Sequence, residues 1–244
     1  MIRALKLLAA IGGAVAFSGA LAGAHAEDGK GPVAVELFTS QSCSSCVPAA
    51  AHFSELAARE DIVALAWHVD YWNALQTKKG RWADPYSSAL CTERQRAYNL
   101  KIRKRSSVFT PQIVVAGKSE TVGSYRDKVS ELIDKAKAEI DFAPVDAERS
   151  DGAVSFDIGA SPNGGNALLV TFKPKTTTEI EGGENAGLRY HNVNAVTEVV
   201  RLGVVRRMGA RFIAPVPAEG YGCALIVQEP GQGAIIAAAY CPSP

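Results

Sequence analysis

The chain has almost no net charge: 26 Lys and Arg stand against 25 Asp and Glu, a formal +1. Without a basic excess there is no electrostatic footprint for nucleic acid or for an anionic membrane, and neither partner is expected. Internal repeats and low-complexity tracts are also missing. With 47% hydrophobic and 21% charged residues, the composition excludes a disordered, collagen-like or coiled-coil chain. Cysteine is sparse, five in 244 residues. A chain of this length buries roughly 70% of its unfolded surface, so it needs neither metal nor disulfide merely to have a core. No cofactor and no structural metal are expected.

Long apolar runs are missing everywhere except at the N-terminus. There Arg3 and Lys6 precede an apolar run from Leu7 to about Leu21, followed by Ala24-His25-Ala26. A basic start, a short apolar stretch and an A-x-A ending read as a secretory signal peptide spanning 1–26. The alternative, a membrane anchor, needs about 20 apolar residues, and Gly and Ser interrupt this run. Cleavage after Ala26 takes the 26 basic residues to 24 against 25 acidic, a formal −1, and leaves all five cysteines in place. The mature chain is expected to be soluble, periplasmic or secreted, without stable membrane insertion, in a compartment that tolerates disulfides.

From residue 27 to about 143 the pattern alternates between strand and helix. Val33–Phe38 and Ile62–Trp67 are short apolar runs that read as buried parallel strands. Ala49, Phe53 and Leu56 recur at helical spacing between them. A polar connection over Asn73–Ser87, a helix around Thr92–Lys104, a strand Gln112–Ala116, a short strand about Thr121-Val122 and a helix from Tyr125 to about Glu139 follow. From 144 to 244 the period changes to two: Val154, Phe156 and Ile158 alternate with polar residues, as do Leu168, Val170 and Phe172. Val196–Leu202, Arg211–Val216, Ala224–Gln228 and Ala234–Tyr240 read as further strands. The expected architecture is an α/β thioredoxin-like domain followed by a smaller, β-rich, sandwich-like domain.

Cys43-Ser44-Ser45-Cys46 lies between the first strand and the first helix. A helix N-terminus offers unpaired N–H groups and a positive dipole end, both of which favour a thiolate. Cys43 is therefore expected to be the exposed, lower-pKa nucleophile and Cys46, one turn deeper, the resolving thiol. A C-x-x-C alone also fits zinc or a fixed structural disulfide, whereas between strand and helix it points to thiol–disulfide chemistry. Thioredoxin-like folds hold a cis-proline opposite such a pair. Pro111, directly before the third strand, fills that position, with the Thr110 backbone free to pair with a bound peptide. His68 and Asp70 share one face at the carboxyl end of the second strand, the end that also carries the cysteines. They read either as a proton shuttle or as a buried His–Asp hydrogen bond. His52 reads as a surface or packing residue rather than a ligand.

These motifs together resemble exported bacterial proteins catalogued as domain of unknown function 1223. The resemblance rests on Val35–Gln41 leading into Cys43–Cys46, on His68–Trp72, Glu93–Tyr98, Thr110-Pro111-Gln112 and Val122-Gly123-Ser124, and on Gly183–Gly187 and Tyr190–Val193. It implies a thioredoxin-like domain with a β-rich appendage and supplies no substrate. The chain departs from the family pattern in extra residues around Gln76–Gly80 and in Cys91. Gly183–Gly187 and Tyr190–Val193 read as a glycine turn whose side chains satisfy loop backbone, or as a polar cluster of Glu184, Asn185, His191 and Asn192 folded towards a partner or the cysteine pair.

Ala224–Gln228 and Ala234–Tyr240 flank Glu229–Gly233, a hairpin signal. With a loop over Gly231–Gly233, opposed positions sum to 464, which places Cys223 opposite Cys241. That register predicts a structural disulfide between them and leaves Cys91 as a free thiol, either exchangeable or packed.

Three functions follow for comparison: a thiol–disulfide oxidoreductase acting on a protein or a small thiol or disulfide; a copper-binding protein using Cys43 and Cys46 with His52 or His68; and a non-catalytic binding module whose C-x-x-C is a staple. Ser44-Ser45 leaves the direction of exchange open, and neither the substrate nor the oligomeric state is legible.

Overall fold

Val33–Thr39 (β1) is buried along its whole length, as a short run of branched and apolar residues in the middle of a sheet should be. Its side chains alternate between two cores: Val33, Val35 and Leu37 face one, Ala34 and Phe38 the other. Cys46–Leu56 (α1) follows and returns the chain to Ile62–His68 (β2), which pairs with β1 in parallel from Val33↔Ile62 to Thr39↔His68. The computed structural model describes residues 31–243; the expected signal peptide, 1–26, lies outside them.

Ser88 caps the next helix, Ala89–Tyr98 (α2), its hydroxyl accepting from the Cys91 N–H, and the helix runs into a π-helical turn at Asn99–Arg103. Gln112–Val115 (β3) pairs antiparallel with β1, and Ser119–Val122 (β4) with β3. Arg126–Glu139 (α3) buries Val129, Leu132, Ile133 and Ala136 at helical spacing. The remaining elements are strands: Val145–Ser150 (β5), Ala153–Ile158 (β6), Gly165–Glu179 (β7), Arg189–Val205 (β8), Ala210–Pro215 (β9), Gly222–Gln228 (β10) and Ile235–Tyr240 (β11).

Eight strands form one mixed sheet in the order β11-β10-β7-β8-β2-β1-β3-β4, and β5-β6-β9 form a small antiparallel sheet. This overturns the expected α/β thioredoxin-like domain with a separate sandwich-like domain. The described residues are 43% strand and 19% helix, and strands from both halves share a single sheet. Period-two patterning shows which face of a strand is buried but not which strand it pairs with. The outer edge of β2 is joined to β8 at Ala66↔Ala195, and β10 is buried on both faces, as a central strand is. The sheet curls back on itself. Ile235 N–H donates to the Ala116 carbonyl, and the Tyr240 hydroxyl bonds both backbone groups of Ala64.

One core lies between the large sheet, α1, α3 and the small sheet, whose Val154, Phe156 and Ala214 pack beside Leu37, Phe53 and Leu225. On the other face Trp67, Phe38, Tyr98 and Cys91 pack beside Val170 and Ile226. A buried ion pair crosses that second core. Arg94 Nε donates to Glu36 Oε1 at 2.6 Å, the Tyr98 hydroxyl donates to the other oxygen of Glu36, and Gln228 bonds both Arg94 and Tyr98. Burial, before any neighbour, drives the Tyr98 phenol far above its ordinary value, so it stays a donor.

Candidate functional site

The chain leaves β1 through Ser40-Gln41-Ser42, turns at Cys43 with its N–H on the Ser40 carbonyl at 3.1 Å, and enters α1 at Cys46. Cys43 and Cys46 form a disulfide with their Cα atoms 5.3 Å apart. No acidic residue lies in the first turn of α1 and no side chain caps it, so the positive end of the helix faces the motif uncompensated from within its own sequence. The Ser45 hydroxyl is 3.2 Å from Cys43 Sγ. Ser44 and Ser45 are exposed, yet both cysteines have 0% exposure. The expected exposed position of Cys43 is therefore corrected: the disulfide is covered on both sulfurs.

A loop from the other half of the chain lies against the motif. β7 and β8 form a long hairpin, paired as far as Glu179↔Arg189, and the loop 180–188 at its tip reaches the cysteines. Glu184 Oε2 accepts the Ser44 N–H at 2.9 Å, and Asn185 Nδ2 donates to the carbonyls of Gln41 at 2.8 Å and Cys43 at 2.9 Å. Gly183, at φ +73°, passes so close that a Cβ would lie 2.8 Å from Ser42 Oγ. Both readings of Gly183–Gly187 hold: it is a glycine turn, and it folds towards the cysteine pair. Residues 76–80 support the loop, with Gly80 accepting from Gly183 N–H and Lys79 Nζ donating to the Ala186 carbonyl.

Below the motif, His68 Nδ1 lies 2.7 Å from Asp84 Oδ2, and both side chains are buried. A carboxylate only accepts, so the proton sits on Nδ1. Asp84 also accepts from the N–H groups of Gln41 and Tyr86. Burial works to raise this carboxyl, but the His68 ring and the two backbone donors outweigh it, and it titrates below the ordinary aspartate value. Gln41 is the link: its backbone holds Asp84, while its carboxamide meets Thr178, Asn192 and the Trp82 indole. Asp70 is not the partner of His68; it accepts from the Thr92 hydroxyl at 2.6 Å, and its own N–H returns to that oxygen. Asp84, in a polar connection before a proline, carries no local signal that would have singled it out.

The Thr110–Pro111 bond is cis. Pro111 precedes β3 by one residue, next to the Phe38↔Gln112 pair, which places it beside the exit of β1. The Thr110 hydroxyl accepts from the Trp72 indole at 2.8 Å.

Cys223 and Cys241 form a disulfide, 18 residues apart in sequence. The strands pair as Ala224↔Tyr240 through Val227↔Ala237, the expected sum of 464, with a shift only at Gln228. Cys91 is a free thiol, buried, hydrogen-bonded to Ser88, and pushed up to about 11 by burial. It is packed rather than poised for exchange. His52 Nδ1 lies 3.2 Å from the Gly123 carbonyl, and His68 is held by Asp84. Among the described residues no group of three or more His, Cys, Asp or Glu stands together as a metal site.

A family model described as a protein of unknown function (DUF1223) matches residues 34–228. No curated protein matches the chain. Among solved structures, a crystal structure of a protein from Agrobacterium tumefaciens is similar at 26% identity and a TM-score of 0.74, covering 87% of this chain and 94% of that one. HBP35 of Porphyromonas gingivalis is similar in fold at 15% identity and a TM-score of 0.58, covering 86% of this chain and 74% of that one.

Proposed function

The chain belongs to the family of proteins of unknown function DUF1223, and from that premise we propose that it is an exported thiol–disulfide exchange protein acting through Cys43 and Cys46. The observation that carries the reading is a disulfide closed over three residues where a buried strand passes into a helix. That junction supplies a positive helix end for a thiolate, and the Ser45 hydroxyl lies within hydrogen-bonding distance of Cys43 Sγ.

With the oxidised pair as the oxidant, an incoming substrate thiolate attacks Cys43 Sγ. The Cys43–Cys46 bond breaks, Cys46 leaves as a thiolate and takes a proton, and a mixed disulfide joins the substrate to Cys43. A second substrate thiolate attacks its own bound sulfur and releases Cys43. The substrate, a protein or a small thiol, ends as a disulfide, and the pair ends as a dithiol, two electrons richer. Thr110 and Pro111, beside the exit of β1, flank the bound partner in this reading. The His68–Asp84 pair holds the Gln41 backbone two residues before the nucleophile. Export to the periplasm or beyond fits a chain with two disulfides, none of whose described helices is long and apolar enough to cross a membrane.

A second reading, a binding module with a structural C-x-x-C, is favoured by the complete burial of both sulfurs and by the Glu184–Asn185 contacts. Titration of the oxidised protein against glutathione and dithiothreitol separates the two. Exchange predicts a couple between about −120 and −270 mV, whereas a staple lies below about −300 mV.

A further inference from the structure

We infer that Glu184 is a positioning residue for the Cys43–Cys46 couple, a carboxylate that holds the motif's backbone and biases the pair towards the disulfide. The inference rests on the exchange reading above and deepens it.

Within its own sequence α1 has no acidic residue in the first turn, so its N-terminal end should stabilise a Cys43 thiolate without opposition. The negative charge missing from the helix is supplied from 140 residues away: Glu184 Oε2 accepts the N–H of Ser44, the residue directly after Cys43. A carboxylate at this position does two things. It occupies a backbone donor just before the helix, and it sets a negative charge on the residue next to the cysteine that becomes a thiolate. Both disfavour the Cys43 thiolate, which makes the thiol a weaker acid and Cys43 a poorer leaving group. Because a stabilised thiolate stabilises the reduced form, a destabilised one shifts the equilibrium to the disulfide. Asn185 holds the carboxylate in place by donating to the carbonyls on either side of Ser42, those of Gln41 and Cys43. The hairpin tip thereby acts as the tuner of a motif that the first half of the chain provides.

Glu184→Gln is the decisive variant, because the carboxamide oxygen can still accept from Ser44 while the charge is gone. Wild type and variant are equilibrated in a dithiothreitol series, and the Cys43 thiol of each is titrated by alkylation rate against pH. The expected result is a threefold to tenfold shift of the equilibrium towards the dithiol, with tenfold equal to about 30 mV. A lower alkylation pKa should accompany it, and both effects should shrink at high salt because Glu184 is exposed. Glu184→Asp, too short to reach Ser44, keeps the charge near the motif and should fall between the two. Equal equilibrium constants and equal alkylation pKa values in wild type and Glu184→Gln overturn the inference. A wild-type couple that glutathione does not reduce overturns the exchange reading instead, and the dithiothreitol shift still decides the role of Glu184.

Discussion

The two disulfides sit in opposite kinds of surroundings. Cys223–Cys241 terminates a ladder: Ala224 and Tyr240 are paired beside it, and the Cys241 N–H donates to the Cys223 carbonyl at 2.8 Å. Backbone pairing already brings those residues together, and the bond closes a span of 18 residues. Cys43–Cys46 lies outside any ladder, closes a separation of three, and is held by side chains from a distant hairpin. In the chain-entropy picture the longer loop contributes about 3 kcal/mol and the shorter about 2 kcal/mol. The difference teaches that the ladder disulfide serves the fold, while the motif disulfide is placed where side chains can set its chemistry.

The largest expected effect tests whether either disulfide is what unites the two regions. β1 leads to Cys43 and β10 begins beside Cys223, and Arg94 of α2 bridges those two strands through Glu36 and Gln228. Arg94→Ala strands the Glu36 carboxylate in the core and should cost about 3–5 kcal/mol in urea unfolding. A loss below 1 kcal/mol would mean that the disulfides, not this ion pair, unite the regions. Next, replacing Cys223 and Cys241 together with Ser should cost about 3 kcal/mol and leave exchange at the motif unchanged. Lost exchange in a variant that is still folded would erase the distinction between the two bonds.

How much of this was legible follows the same division. The ladder disulfide was readable because a hairpin register is local: Glu229–Gly233 fixes which positions oppose one another. The parallel β1–β2 pair, α1 and α3 were readable from apolar spacing for the same reason. The single sheet was not, since Ala66↔Ala195 joins residues whose own periodicity is silent about a partner. β5, Val-Asp-Ala-Glu-Arg-Ser, is too polar to read as a strand and forms one by pairing with β6. At the site, Asp84 as the partner of His68 and Glu184 on Ser44 are tertiary contacts that no spacing announces.

A smaller effect concerns pH. The Asp84 carboxyl is lowered in the folded protein, so its contribution is complete above the unfolded value of about 3.9 and is lost as pH falls through the lower, folded value. Asp84→Asn should cost about 1.5–3 kcal/mol near neutrality. The gap from wild type should narrow as both are acidified below about pH 4. A gap of constant size across that window would show that Asp84 contributes nothing through its charge.

The central claim is that one disulfide exchanges and the other does not. The direct measurement is a single redox titration of the intact protein, quenched by alkylation and read by peptide mass for all four half-cystines. The account predicts that Cys43 and Cys46 become alkylated together between about −120 and −270 mV, while Cys223 and Cys241 stay joined until below about −300 mV. Opening of both bonds at one potential, or of Cys223–Cys241 first, would contradict it.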